Sequence, residues 1–191
     1  MSPTLVLASR SPQRRAILES LGVPFEVRPV DVLEEDDGVA VAVAGENALR
    51  KAVAAKATGP EVVLGVDTLV TIDLEIWGKP PTVEAAGDTL RRLSGRTHDV
   101  VSGVALVRGD GTVRAATTTT RVTFRPLDDA MIAWYLRSGE WEDRAGGYAI
   151  QGRGGALVER IDGDYLNVVG LPGALLLDLL ERKVPSILRS E

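Results

Sequence analysis

The stretch that most constrains this chain is Glu61–Ile72, EVVLGVDTLVTI. Its apolar character is nearly continuous, whereas a strand with one wet face would alternate. The pattern predicts a strand buried on both faces. Asp67 interrupts the run. An unpaired buried carboxylate is costly, which leaves two readings. Asp67 sits at a strand end and bonds to a turn, or it stands at the mouth of a cleft as a general base or metal ligand.

A second strand–helix signal opens the sequence. Thr4–Ala8 is a short apolar run, and Ser11-Pro12 is a helix start: the serine caps, and proline gives up an N–H that has no helical partner. Ala16, Ile17, Leu18 and Leu21 supply an apolar face, and Gly22 suits the left-handed position past the helix end. Arg14 and Arg15 lie in the first turn, where the helix dipole disfavours cations. With Ser9 and Ser11 they form either a phosphate grip or a solvated basic turn.

Further along, Phe25–Val27 reads as a strand, Val32–Gly38 as an acidic loop and Glu46–Lys56 as a helix whose Ala48, Ala52 and Ala55 pack closely on a sheet. Thr71–Trp77 reads as a hairpin, Thr82–Leu93 and Asp128–Arg137 as capped helices, and Val100–Val107 with Val113–Phe124 as a long antiparallel hairpin. Within Gly139–Tyr165 the glycines of Ala145–Gly155 mark a loop whose backbone can approach a ligand, and a leucine-rich helix closes the chain. No linker or repeat divides residues 1–191, so one domain is expected.

Composition removes several function classes. The 191 residues contain no cysteine and a single histidine, His98, which excludes disulfides, thiolate chemistry and multi-histidine metal sites. His98 reads as structural or exposed, not catalytic. A net charge of −5 opposes general nucleic-acid binding, yet leaves room for a small anion held by local positive charge. No apolar run suits a membrane helix, and the N-terminus lacks a signal pattern, so a cytoplasmic location is expected. With only 4% aromatic residues, the chain lacks a platform for binding sugars or peptides.

Five separated segments carry a resemblance: SRSPQRR, GVDT, GKP, LSGRTHDV, and the run from RAGGYAIQG through IDGDY to NVVGLP. In this order they resemble the Maf family of nucleoside triphosphate pyrophosphatases. Gln13 stands where the first arginine of the family's serine-proline-arginine signature is usual, Ala16 replaces a common glutamate, and Val66 replaces an alanine. The resemblance implies an α/β fold with an extended, twisted, mixed β-sheet flanked by helices, as in inosine triphosphatases, a cleft between two lobes, and a homodimer. It implies hydrolysis of a nucleoside triphosphate between the α and β phosphates, with Asp67 as proton acceptor. Lys51, Lys79 and Arg14 would offset phosphate charge, and a divalent cation, Mg2+ or Mn2+, would use Glu34 and Asp67. Ser9, Ser11, Gln13, Arg14, Thr68 and Gln151 would contact substrate. Thr68 and Gln151 resemble the subfamily that prefers dTTP and UTP, and the Gln151 amide suits a pyrimidine edge. The alternative is a nucleotide-binding regulatory protein of cell division, without catalysis.

Overall fold

In the computed structural model, which describes residues 4–183 and residue 187, the chain starts with β1 (Leu5–Leu7), α1 (Pro12–Ser20), β2 (Phe25–Val27) and α2 (Ala40–Ala54). There follow β3 (Val62–Ile72), β4 (Glu75–Trp77), α3 (Val83–Leu93), β5 (Thr97–Arg108) and β6 (Val113–Phe124). The chain ends with α4 (Asp129–Leu136), β7 (Val158–Asp162), α5 (Tyr165–Val169) and α6 (Gly173–Lys183). Local chemistry sets several boundaries. Ser11 Oγ accepts from the Arg14 N–H, Thr82 Oγ1 from Ala85 N–H and Asp128 Oδ1 from Met131 N–H, so each of these helices starts at a side-chain cap. None of the described helices is long and apolar enough to cross a membrane.

The seven strands form one mixed sheet in the order β2-β1-β3-β5-β6-β7, with β4 also on β3. β1 pairs in parallel with β2 and β3; the remaining pairings are antiparallel. One edge of β3 is covered by β5 from Val62 to Thr71. The other edge is shared: β1 pairs with Val62–Leu64 and β4 with Val70–Ile72. Between them, Gly65–Leu69 has no strand partner on that side among the described residues. The sheet forks there, and Asp67 lies in the middle of the gap.

Each branch of the fork has its own core. Leu5, Leu7, Leu18, Leu64, Val66, Leu176 and Leu180 pack around α1 and α6. Val70, Ile72, Leu90, Phe124, Tyr135 and Tyr148 pack around α3 and α4. On the opposite face α2 lies across β3 and β5, where Ala48 and Ala52 meet Val63 and Ala105. The helix backbone touches the strands directly. A Cβ on Gly65 would run into the Ala48 carbonyl and lie 2.7 Å from Ala52 N; one on Gly103 would run into the Ala44 carbonyl and lie 2.7 Å from Gly45 N.

Two expectations are corrected and one strand is added. α2 begins at Ala40, not Glu46, because buried Val43 and Ala44 extend its packed face past the unfavourable Gly45. Just after the glycine-rich loop comes β7, which has no strand signal in the sequence; it pairs with β6 and carries an ion pair from Asp162 to Arg121. Its residues, Val-Glu-Arg-Ile-Asp, are mostly charged and show no clean alternation, so no strand pattern marks them in the sequence. Ala16 is exposed, leaving Ile17 and Leu18 as the buried residues of α1.

His98 is buried, 2% exposed, with Nε2 and Tyr148 Oη sharing a hydrogen bond of 2.9 Å. Its ring meets Phe124 and Tyr148 edge-on, a structural role. Burial pushes its pKa down to about 4.

Two measurements follow. Gly65→Ala should destabilise the protein by about 3 kcal/mol or more, since the new methyl meets helix backbone that cannot move aside cheaply; a urea midpoint unchanged from wild type would refute the close-contact account. For His98, the unfolded chain binds a proton near its ordinary pKa of 6.5, the folded chain only near 4. Between these values the unfolded state holds more protons, so stability is full above pH 6.5 and is lost as pH falls toward 4. His98→Phe removes that component, so between about pH 7 and 4.5 the variant should lose about 2 kcal/mol less than wild type. Parallel losses in the two proteins would show that His98 does not carry this linkage.

Candidate active site

Asp67 projects from β3 toward α2, with its side chain only 5% exposed. Oδ1 accepts from Lys51 Nζ at 2.6 Å and Oδ2 from Asn47 Nδ2 at 3.1 Å. Asn47 and Lys51 stand one helical turn apart on α2, so one helix face delivers both donors. Lys51 Nζ also contacts Glu34 Oε1 at 2.7 Å, placing one ammonium between two carboxylates. Asn47 grips the acidic loop as well: its Oδ1 accepts from the Glu35 N–H and its Nδ2 donates to the Glu35 carbonyl, both at 2.8 Å. The loop that carries Glu34 is thereby fastened to Asp67 through a fully buried carboxamide.

Successive residues of a strand point to opposite faces, and Thr68 accordingly faces α1 and α5. Its hydroxyl hydrogen-bonds with Ser102 Oγ at 2.9 Å and contacts the Gly170 carbonyl at 3.3 Å. Arg14 reaches the same place, donating to Gly170 O and Ser9 Oγ at 3.0 Å and to Thr68 Oγ1 at 3.5 Å. Burial lowers the Arg14 pKa, and the charges of Asp67 and Glu34 oppose that shift. Arg15 does not join it. Its side chain is 62% exposed and pairs with Glu19, so the expected convergence of both arginines is corrected to Arg14 alone. Neighbouring helical positions lie about 100° apart, and only one can face the cleft.

The gap in the sheet opens into a cleft of about 580 Å³. Ser9, Ser11, Gln13 and Arg14 form one wall; Glu34, Lys51, Asp67 and Thr68 form its floor. Lys79 and Gln151 come from the far branch of the fork, so the structure brings together every site residue that the resemblance implies. Two internal bonds hold that branch in place: Gly146 N–H donates to the Gly78 carbonyl at 3.2 Å and Ala149 N–H to Tyr135 Oη at 3.0 Å. Neither Lys79 nor Gln151 has a side-chain partner among the described residues, leaving an ammonium and a carboxamide open to the cleft. A larger depression of about 720 Å³ lies beyond Lys79, bordered by Asp36, Asp37, Glu75 and Asp88. Among the described residues Lys79 is the one cation in its lining, whereas Arg10, Arg14, Lys51, Lys79 and Arg144 offset the carboxylates of the cleft at Asp67, which is therefore the better site for a polyphosphate.

Sequence reasoning missed Asn47, Ser102 and Arg144. Asn47 had a signal, a polar residue four positions before Lys51 on an alanine-lined face; Arg144 opens the RAGGYAIQG segment, and Ser102 has no local mark. Among the described residues no group of three or more His, Cys, Asp or Glu side chains forms a metal cage.

Comparison with known proteins bears on the family and the fold. Residues 4–183 match the family described as Maf-like protein. The dTTP/UTP pyrophosphatase of Symbiobacterium thermophilum is 48% identical over 172 residues, covering 88% of this chain and 88% of that protein. The dTTP/UTP pyrophosphatase of Gloeobacter violaceus is 46% identical over 183 residues, covering 94% and 96%. A HAM1 protein from Coxiella burnetii, 18% identical, superposes over 95% of this chain and 100% of that one with a TM-score of 0.52, a likeness of fold. A family match running from β1 through α6, with relatives at this identity over most of both chains, establishes that the chain belongs to the Maf family.

Proposed function

We propose that this protein is a nucleoside triphosphate pyrophosphatase that cleaves between the α and β phosphates, with dTTP and UTP preferred. The observation that carries the reading is Asp67: a buried carboxylate, held through both oxygens, at the floor of a cleft otherwise rich in cations. Asp67 takes a proton from water, and the resulting hydroxide attacks one phosphorus flanking the α–β bridge. The bridging P–O bond breaks, releasing nucleoside monophosphate and pyrophosphate. Arg14, Lys51 and Lys79 offset charge on the polyphosphate, which would otherwise repel the nucleophile.

A divalent cation fits the donor set. Glu34 and Asp67 already meet one cation, the Lys51 ammonium, at 2.7 and 2.6 Å. Magnesium is commonly held by one or two carboxylates together with substrate phosphates and water. Bound by Glu34 and Asp67, Mg2+ or Mn2+ would supply further charge neutralisation. The pyrimidine preference rests on the likeness to dTTP/UTP pyrophosphatases and on Thr68 and the Gln151 amide, which has no side-chain partner among the described residues.

Two assays test the proposal. With magnesium present, Asp67→Asn should lower kcat for pyrophosphate release at least about a hundredfold, the range for losing a general base, while dTTP still binds. Release at the wild-type rate would remove Asp67 from the chemistry. In a panel of dTTP, UTP, 5-methyl-UTP and 7-methyl-GTP, kcat/KM should favour the pyrimidines by about tenfold or more; preference for 7-methyl-GTP would overturn the assignment.

A further inference from the structure

Arg144 lies just before the Ala145–Gly147 turn, on the far branch of the fork, yet its side chain reaches across to α1. Nη1 donates to Gln13 Oε1 at 3.0 Å, and the same oxygen accepts from Ser11 Oγ at 3.1 Å. Ser11 Oγ is also the cap of α1, so the arginine is tied to that helix start. Both Gln13 and Arg144 line the cleft that contains Asp67.

The cations around the cleft floor are committed to different degrees. Lys51 is matched by two carboxylates. Arg14 uses three hydrogen bonds, to the Gly170 carbonyl, Ser9 Oγ and Thr68 Oγ1. Lys79 has no side-chain partner among the described residues. Arg144 has only the Gln13 amide: no carboxylate lies within ion-pair distance among the described residues, and its Nε is buried without an acceptor. A covered guanidinium donor with nothing to bond is costly, and such a group calls for an explanation. A structural brace would find an acceptor for each covered donor, as Arg14 Nε does in the Gly170 carbonyl. An arginine set over a polyphosphate cleft is instead served by its ligand, whose oxygens match the guanidinium fork.

We propose that Arg144 is a substrate-binding residue that Gln13 holds over the cleft, and that it contacts the polyphosphate together with Lys79. The hydrogen bond from Gly146 to Gly78 joins the turns that carry these two residues, so they act as one wall. Gln13 is in this view a positioning residue: it is neutral, so it fixes the guanidinium without cancelling its charge. The proposal rests on the nucleotide reading above.

The test compares Arg144→Gln, Arg144→Lys and the exchange Gln13→Arg with Arg144→Gln, which returns one guanidinium and one amide to opposite walls. KM and kcat for dTTP are measured in each. The Kd of dTTP is measured by calorimetry in the Asp67→Asn background, where binding is read without turnover. Arg144→Gln should raise KM and Kd about tenfold, the scale of one charge-assisted hydrogen bond, with kcat changed by less than about threefold. Arg144→Lys keeps the charge but loses the fork and should fall between, and the exchange should recover most of the affinity. Unchanged Kd in folded Arg144→Gln, or a loss confined to Tm, overturns the proposal. Should Arg144→Gln not fold, Arg144→Lys decides: a Kd equal to that of its parent at unchanged Tm overturns it equally. Because Kd is read separately, absence of turnover in wild type would count against the pyrophosphatase reading and leave the Arg144 result standing.

Discussion

The site depends on how closely α2 lies on the sheet. Asparagine is short, so Asn47 can hydrogen-bond Asp67 only if helix and strand backbones nearly touch. Gly65 and Gly103 make that possible by leaving no Cβ beneath the Ala48 and Ala44 carbonyls, and small alanines line the rest of the contact. The same approach brings Lys51 to 2.6 Å from the carboxylate. Removing one member of a buried ion pair leaves the other uncompensated, at a cost of about 3–5 kcal/mol, so packing and charge balance reinforce each other here. Asn47 extends the arrangement to the acidic loop, and Glu34 is positioned by the same helix.

The fork in the sheet provides the space. β1 and β4 take opposite ends of one β3 edge, and the middle of that edge, without a strand partner among the described residues, becomes the floor of a cleft. Because side chains alternate along a strand, Asp67 and Thr68 serve different surroundings one residue apart. Asp67 joins the charged helix face; Thr68 joins the network of Ser102, Gly170 and Arg14. Although the chain as a whole carries a net charge of −5, the cleft gathers Arg14, Lys51, Lys79 and Arg144. Recognition of an anion follows local charge, and the acidic surplus elsewhere does not oppose it.

Signals confined to a few residues can be read from the chain directly. The caps at Ser11, Thr82 and Asp128 need only the residues that follow them, and the buried character of β3 shows in its own composition. Asp67 stands out because a carboxylate in an apolar run has few cheap explanations. Other features escape for physical reasons. The true start of α2 is decided by burial of Val43 and Ala44 against the sheet, which outweighs the propensity of Gly45. β7 owes its strand conformation to β6, since its own residues show no alternation. Arg14 and Arg15 look equivalent in sequence, but the helical turn sends one to the cleft and the other to Glu19.

Most element types, the buried character of β3 and the exceptional carboxylate at Asp67 are thus written in the chain, because caps, periodicity and side-chain chemistry are local properties. The other candidate site residues are marked by the family resemblance. It took the folded arrangement to establish that Asn47 and Lys51 share Asp67, that Glu34 joins them, and that Arg144 crosses to Gln13. Those contacts join segments up to 131 residues apart. They exist because a forked sheet and a helix seated on glycine fix the relative positions of backbones that no short stretch of sequence controls.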